Sequence, residues 1–494
     1  MRVDVKNKED LRKYFTNLQN WLAQKPVVFT KYLDFGVKVI RIISYDKDFL
    51  PHIKRQLTYV LRDEAASYDE TLVVFKEEDF KNVSVNLSDE FNPKKNMRLR
   101  LDLIINKLNY PNLQIMDKDY SAVKPVINIG KDTIEAYDQQ NKIFYYAVKD
   151  LEPEEFIKRG HAFVHPLNNL IKTPTTNIVH GAIIGYNNNG MLFCARGHRG
   201  KSTLTVHAMM HDFEYVSDDY QILENKDGQL LSYPIYSIIT LSPMMYSELY
   251  DDLKGKFVSN NARKDKYVIN IAGYHNQFRK AYPIRFCLFP EIVSDKEPSI
   301  TFCTPQEKGR AIVHLIQSTT NQAHDLNNRA VIEKLYTMVK DLDFYKFNLC
   351  RDLDANTEYL RDFLKKFNFD FRKGIKTNRI LVDITYDLAN IIDSETCTIY
   401  SMNKFATNVY ENLLLGKAED EIWQKIAPFA SQNANLHEEF TNLVSAIHQK
   451  GFIQSGVDMP ADCSIKSEFA EECKFKLSLR EFATDGTIEL TTIK

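Results

Sequence analysis

Strand, glycine-bearing loop and helix follow one another between residues 191 and 210, where MLFCA runs into RGHRG and RGHRG opens KSTLTVHAMM. No other stretch constrains the fold as much. That succession is the context a phosphate-binding loop requires, and it places the chain among α/β folds. Backbone N–H groups of such a loop and of the helix N-terminus converge on phosphate oxygens. Lys201 adds a point charge and the Ser202 hydroxyl is placed to hold Mg2+. The nucleotide-binding set is therefore Ala195, Arg196, Gly197, His198, Arg199, Gly200, Lys201, Ser202 and Thr203. Against the usual G-x-x-x-x-G-K-[ST] spacing, Ala195 replaces the first glycine, while Gly197 and Gly200 remain.

The second signal is Asp218-Asp219, which follows the apolar stretch FEYVS. A helix of about three turns and then a strand return the chain beside the loop, at the carboxyl end of a neighbouring strand where ligands sit in open α/β sheets. One carboxylate, Asp218, is expected to share the metal with Ser202. Asp218 and Asp219 are both catalytic candidates, and which of them accepts a hydroxyl proton during phosphoryl transfer is left open by the sequence.

The run His180-Gly181, the strands AIIGY and MLFCA, the loop ARGHRGKS, a short helix and Asp218-Asp219 together resemble the nucleotide-binding core of HPr kinase/phosphorylase and its relatives in peptide-tailoring clusters. The resemblance is close over 170–225 and looser over 126–345. It implies the phosphoenolpyruvate carboxykinase-type phosphate-loop fold, ATP and Mg2+ as cofactors, and His180 in the active site as a relay for the proton that a catalytic aspartate takes up. Where HPr-specific enzymes carry a glycine-rich L-E-x-R-G-x-G segment, this chain has LLSYPIYSIITLSPMMYSELYDD, which points away from HPr as the substrate. Farther on, Arg263, Lys264, Lys266, Arg279 and Arg285 form a basic stretch broken by strands. Arg263 and Arg279 are its candidates for stabilising charge on the transferred group.

At 494 residues the chain is long enough for several domains. The first 125 residues read as an α/β region: a helix over 11–23, strands at 37–44 and 71–75, a helix over 49–61 and a polar loop at 79–100. The phosphate-loop domain is placed at 126–345, opening on a hairpin made by 126–130 and 133–148 and then a helical run to 171. A helical linker follows over 346–378, with a helix capped by Asn356. The segment 379–456 reads as two strands, ILVDITY and CTIYSM, then three helices, of which the first opens at Asn403 and closes at Gly416 and the last ends at Gly451. That order, and TIYSMNKFATNVYENLLLG within it, resembles the winged-helix-like PqqD family of leader-peptide recognition domains. The resemblance implies that a peptide adds as a strand to an exposed sheet edge. A DNA-binding winged helix is the competing reading, but residues 376–456 hold 6 Lys/Arg against 10 Asp/Glu, a net of -4, which repels a phosphate backbone. The last segment, 457–494, holds an alternating KFKLSLREF and is left as a strand or a tail.

The formal charge of the whole chain is -2, so nothing global points to nucleic acid or an anionic membrane. No stretch approaches the ~18 apolar residues of a spanning helix, and the N-terminal sequence lacks the core and cleavage site of a signal peptide, so a cytoplasmic address is expected. Seven cysteines without a C-x-x-C read as reduced packing residues. Together these features predict an ATP-dependent kinase acting on a Ser or Thr hydroxyl of a ribosomally synthesised precursor peptide, its leader held by the C-terminal module. A nucleotide-gated leader scaffold and a nucleotidyl transferase are the alternatives, and oligomerisation is left open.

Overall fold

The computed structural model describes residues 3–5, 8–76, 85–87, 113–115, 127–129, 133–138, 140–148, 161–195, 199–249, 259–263, 266–295, 297–323, 329–366, 374–385, 388–432, 434–453 and 479–482. The chain divides into two compact units, one formed by 1–193, 197–299 and 348–368 and the other by 194–196, 300–347 and 369–494. The segments 126–345 and 346–378 expected from sequence are each shared between them.

In the first unit the apolar run Glu70–Lys76 is buried along nearly its whole length. That pattern belongs to a strand with neighbours on both sides and cover on both faces. It lies parallel to Val39–Ser44 on one side and to Ile143–Val148 on the other. The expected hairpin of 126–130 with 133–148 forms between Ile127–Ile129 and Thr133–Asp138, and the second run itself folds back, Thr133–Asp138 pairing antiparallel with Ile143–Val148. Its place is different from the one expected, because it pairs into the N-terminal sheet and not with the phosphate-loop strands. The eight strands run in the order Leu61–Arg62, Phe29–Asp34, Val39–Ser44, Glu70–Lys76, Ile143–Val148, Thr133–Asp138, Ile127–Ile129, Leu113–Ile115. The helix expected over 49–61 ends at Gln56, and Leu61 turns into a strand. Of the helical run expected up to 171, Val164–Ile171 is helix, and 149–160 lies outside the described residues.

The phosphate-loop strands form a second, mixed sheet in the order Thr176–His180, Tyr220–Lys226, Gln229–Pro234, Tyr282–Ile292, Asn189–Phe193, Ala182–Tyr186, Glu214–Ser217. The two sheets of this unit share one apolar core: Leu72 and Phe144 from the first meet Phe163, Ile178, Ile222 and Tyr236 around the second. A three-stranded sheet of Ile238–Leu241, Lys266–Asn270 and Ser259–Arg263 and a parallel pair, Val3–Val5 with Val85–Leu87, also belong to this unit.

In the second unit the C-terminal sheet has four strands where two were expected. Ile380–Thr385, Leu388–Asp393, Thr398–Met402 and Leu479–Phe482 pair antiparallel in that order. The helices Lys404–Leu414, Glu419–Ile426 and Leu436–Gln449 follow the third strand and bury Phe405, Val409, Leu443 and Ile447 against Ile391 and Tyr400. Asn403 caps the first of them by accepting from the Ala406 N–H at 2.9 Å, as the sequence predicts. An unexpected 19-residue helix, Pro305–Ala323, lies against Ile380–Thr385, with Gly309 over Leu381. Its Lys308 is 2% exposed, and the ammonium donates to the carbonyls of Lys340, Leu342 and Ile375 at 2.7–2.8 Å, so all three protons are used within the fold. Among the described residues, no helix is long and apolar enough to cross a membrane, and Cys194, Cys287, Cys303, Cys350 and Cys397 are buried thiols.

Candidate active site

Asn189–Phe193 and Glu214–Ser217 each pair antiparallel with Ala182–Tyr186, so the two outer strands run the same way and end at the same sheet edge. Ile183 faces Leu192 on one side and Ser217 on the other. The chain therefore leaves Phe193 for the loop, and Ser217 for Asp218, at one edge. The sequence places the acidic pair on the strand next to the loop strand. In the structure Ala182–Tyr186 lies between them, because it pairs with Asn189–Phe193 through the hairpin turn at Asn187-Asn188 and takes Glu214–Ser217 on its other side. Two ladder spacings, about 10 Å, then separate the strands. The first turn of the Lys201–Met210 helix spans that gap: both Lys201 and Ser202 act on Asp218.

Gly200 caps this helix with φ +83°, in the left-handed region where a side chain is strained, and a Cβ there would stand 3.0 Å from Leu349 Cδ1. Gly200 offers no side-chain cap to the helix, and the N-terminus of a helix favours an anion. Lys201 is 7% exposed, an unusual burial for an ammonium unless an anion faces it. Ala195 is buried after the strand. Arg196, Gly197 and His198 lie outside the described residues, whereas Arg199, Ser202 and Thr203 are described at the helix entry.

Asp218 is 2% exposed. Its pKa is pushed up to about 7 by burial first and by the charge of Asp219 second, against the pull of the Ser202 hydroxyl, the Thr240 N–H and the Lys201 charge. Among the described residues its Oδ1 is a buried oxygen with no hydrogen-bond partner. A raised carboxylate pKa means local positive charge is short, and an unbonded oxygen beside a serine hydroxyl is a hard oxygen ligand. The pair Ser202 and Asp218 therefore fits a divalent cation.

Asp219 is more open, with 19% of its side chain exposed. His161 Nε2 lies 3.4 Å and His180 Nε2 3.8 Å from its two oxygens, and the Thr240 hydroxyl lies 3.4 Å from Oδ2. The Gly181 N–H fixes its backbone by donating to the Asp219 carbonyl at 3.0 Å. His161 in turn stands edge-on to Tyr220 and Tyr236. Sequence reasoning found His180 and the aspartates but missed His161 and Thr240. His161 sits in a run read as helix and far from the loop in sequence; its preceding Gly160 is the sole local signal.

Arg279 is not brought to the carboxylates. Its guanidinium grips Glu214 through Nε at 3.1 Å and Nη2 at 2.9 Å, and donates to the carbonyls of Asn276 and Phe278. Glu214 begins the strand that Ser217 ends, so Arg279 stands about 13 Å of strand away from Asp218. Arg263 ends the strand Ser259–Arg263, where it is the register partner of Lys266; its side chain lies outside the described residues.

No protein-family model matches the chain. No curated protein matches it. Among solved structures, an HPr(Ser) kinase/phosphatase from Coxiella burnetii is similar at a TM-score of 0.22 and 11% identity, over 38% of this chain and 97% of that one. A likeness at that score decides neither fold nor function.

Proposed function

We propose that the chain is an ATP-dependent kinase that phosphorylates a Ser or Thr hydroxyl of a ribosomally synthesised precursor peptide, whose leader adds to the C-terminal, PqqD-like sheet. The observation that carries the phosphoryl-transfer half is Asp218: buried, with its pKa near 7, and engaged by Lys201 and Ser202 across the strand between them. Lys201 and the loop amides would hold the terminal phosphates of the nucleotide, and Ser202 with Asp218 would hold Mg2+. A divalent cation bound there supplies neutralising charge for the phosphates. Asp219 is the better placed general base, since it is the more exposed of the two and has two imidazoles within 4 Å. It takes the acceptor hydroxyl's proton as the oxygen bonds to the γ-phosphorus and ADP departs, and His161 or His180 passes the proton on.

The leader half rests on the sheet edge at Thr398–Met402. That strand accepts Leu479–Phe482 through main-chain pairing, Ile399 against Phe482 to Met402 against Leu479. An edge that takes one added strand is chemically able to take a peptide in its place. The module's net charge of -4 over 376–456, from 6 Lys/Arg and 10 Asp/Glu, favours a peptide over nucleic acid.

Incubation of a candidate precursor with the protein and Mg-ATP, followed by mass spectrometry, tests the reading. A gain of one phosphoryl group is expected, and Lys201→Ala should abolish it while leaving peptide binding intact. A gain of a nucleotidyl group would move the assignment to nucleotidyl transfer. No gain, despite nucleotide binding by calorimetry, would leave a nucleotide-gated scaffold. A phosphoryl gain that survives Lys201→Ala would remove the site assignment itself.

A further inference from the structure

At the other end of the phosphate-loop helix stands a cluster that phosphoryl transfer does not use. His207 lies in the last turn of Lys201–Met210 and His211 is its C-cap residue, four positions on and so on the same face. The helix Leu353–Lys366 brings Asp354, in its first turn, to both of them. His207 Nε2 is 3.3 Å and His211 Nε2 3.6 Å from the same carboxylate oxygen, Asp354 Oδ1. All three ligand atoms lie within 4.8 Å of one another. We propose that His207, His211 and Asp354 form a binding site for a zinc-class divalent cation, with solvent as the remaining ligand.

The distances point to a cation between the groups. A direct N–H···O hydrogen bond sits at about 2.7–3.2 Å. Ligand atoms about 2.0–2.1 Å from a tetrahedral zinc ion lie about 3.3 Å from one another, close to the 3.3 and 3.6 Å that separate the two imidazole nitrogens from Asp354 Oδ1. The tautomer agrees. His207 Nδ1 is 2.8 Å from the Thr357 hydroxyl, and with Nδ1–H donating there, Nε2 turns its lone pair toward Asp354. Such an outer partner, which fixes the ring and leaves the other nitrogen to the metal, accompanies most histidine ligands. The two imidazoles stack with centroids 4.3 Å apart and planes at 22°, which brings both rings to the same carboxylate. A shared cation takes both rings neutral.

The elements favour the same occupant. The C-terminal end of one helix offers negative partial charge, and Arg361 anchors the His211 carbonyl there. Exposure is graded from His207 at 8% of its side chain through His211 at 40% to Asp354 at 71%, which leaves solvent access from the carboxylate side. Two imidazoles and one carboxylate suit zinc, nickel or cobalt; magnesium prefers oxygen ligands. The site is therefore chemically separate from the one at Ser202 and Asp218. It clamps the phosphate-loop helix to Leu353–Lys366, and its role is structural.

The test uses the full chain, stripped with a chelator and titrated with Co2+ as the probe. One equivalent should give the ligand-field absorption of a tetrahedral site, displaced by Zn2+ and not by Mg2+, and Zn2+ should raise the unfolding temperature. His211→Ala and Asp354→Ala, both at partly or fully exposed positions, should each abolish the absorption and the zinc shift while Mg-ATP binding persists. Thr357→Val should weaken zinc affinity about 10–100-fold by releasing the His207 ring. Absence of the cobalt absorption in the native chain overturns the proposal. So does zinc affinity that stays within a few-fold of native in both exposed-ligand variants.

Discussion

Asp218 is costly to ionise where it stands, and that cost makes its role measurable. In the folded chain its pKa is near 7 against 3.8 for a free aspartate, with burial as the main cause and Asp219 as the second. Between those values the folded state keeps a proton that the unfolded state has released, so this group's contribution to stability is full below the lower value and falls as pH rises through the upper one. About three units at 1.36 kcal/mol each set the scale at about 4 kcal/mol. Asp218→Asn imitates the protonated form. It should therefore stabilise the chain in urea unfolding by about 2 kcal/mol near pH 5 and by about 4 kcal/mol near pH 8, while removing phosphoryl transfer under the proposed function. Equal shifts at the two pH values would mean that Asp218 does not carry this charge. His161 shows the limit of reading single residues from sequence, since nothing near it in the chain announces that Asp219 lies 3.4 Å away. Asn356 shows another. It was expected to cap a helix, yet Asp352 accepts from the Ala355 N–H, the helix starts at Leu353, and Asn356 turns inward to bind both the N–H and the carbonyl of Cys350. A polar side chain with two ways to satisfy the backbone does not reveal which one it takes.

Elements whose partners are near in sequence were legible, and the others were not. AIIGY and MLFCA form the hairpin expected of them, over Asn187 and Asn188 with φ of 50° and 63°, and the helix after the loop begins at Lys201 as expected. Tyr220–Lys226 and Gln229–Pro234 went unread although Asp227-Gly228, with φ of 50° and 77°, is a turn signal of the type I′ kind. Leu388–Asp393 gave less to read, because Tyr386-Asp387 before it contains neither glycine nor proline. The hairpin at the loop also hides a packing device. Gly185 and Gly190 stand opposite one another, and Tyr282 lies over both: a Cβ on Gly185 would come within 2.3 Å of its ring, and one on Gly190 within 2.7 Å. The Tyr282 hydroxyl then reaches Glu214, the residue that holds Arg279. Gly185→Ala must push that ring off the sheet and should cost about 1–3 kcal/mol in urea unfolding. In a Tyr282→Ala background the same change should cost at least about 1 kcal/mol less, because the clashing partner is gone. Strict additivity in that double-mutant cycle would show that the ring does not occupy the glycine surface.

At the scale of the whole molecule, the C-terminal sheet is completed by a strand that the rest of the module does not supply. Leu479–Phe482 pairs with Thr398–Met402, although the three helices lie between them in sequence. Alternation in KFKLSLREF marks it as a strand, but pairing across such a separation leaves no local trace, which is why its partner was not legible. The pairing is a main-chain ladder, and a ladder does not distinguish a tethered strand from a free one except through concentration. A strand carried on the same chain pairs intramolecularly, at an effective concentration that a peptide in solution at micromolar levels does not match, so the free peptide loses to the chain's own strand. Removing residues 457–494 takes that competitor away. The shortened chain should then bind a labelled synthetic peptide spanning residues 470–488, followed by fluorescence anisotropy, while the full chain binds it at least about 100-fold more weakly. A peptide with proline at both 480 and 481 should fail, since adjacent residues alternate in their ladder bonds and one of the two must lose a donor. Under the proposed function a precursor leader meets the same competition, so the shortened chain should also turn over its precursor at lower peptide concentration. If the shortened chain ignores the synthetic peptide, or takes the doubly proline-substituted one equally well, the edge does not read main chain and leader addition at Thr398–Met402 loses its physical basis.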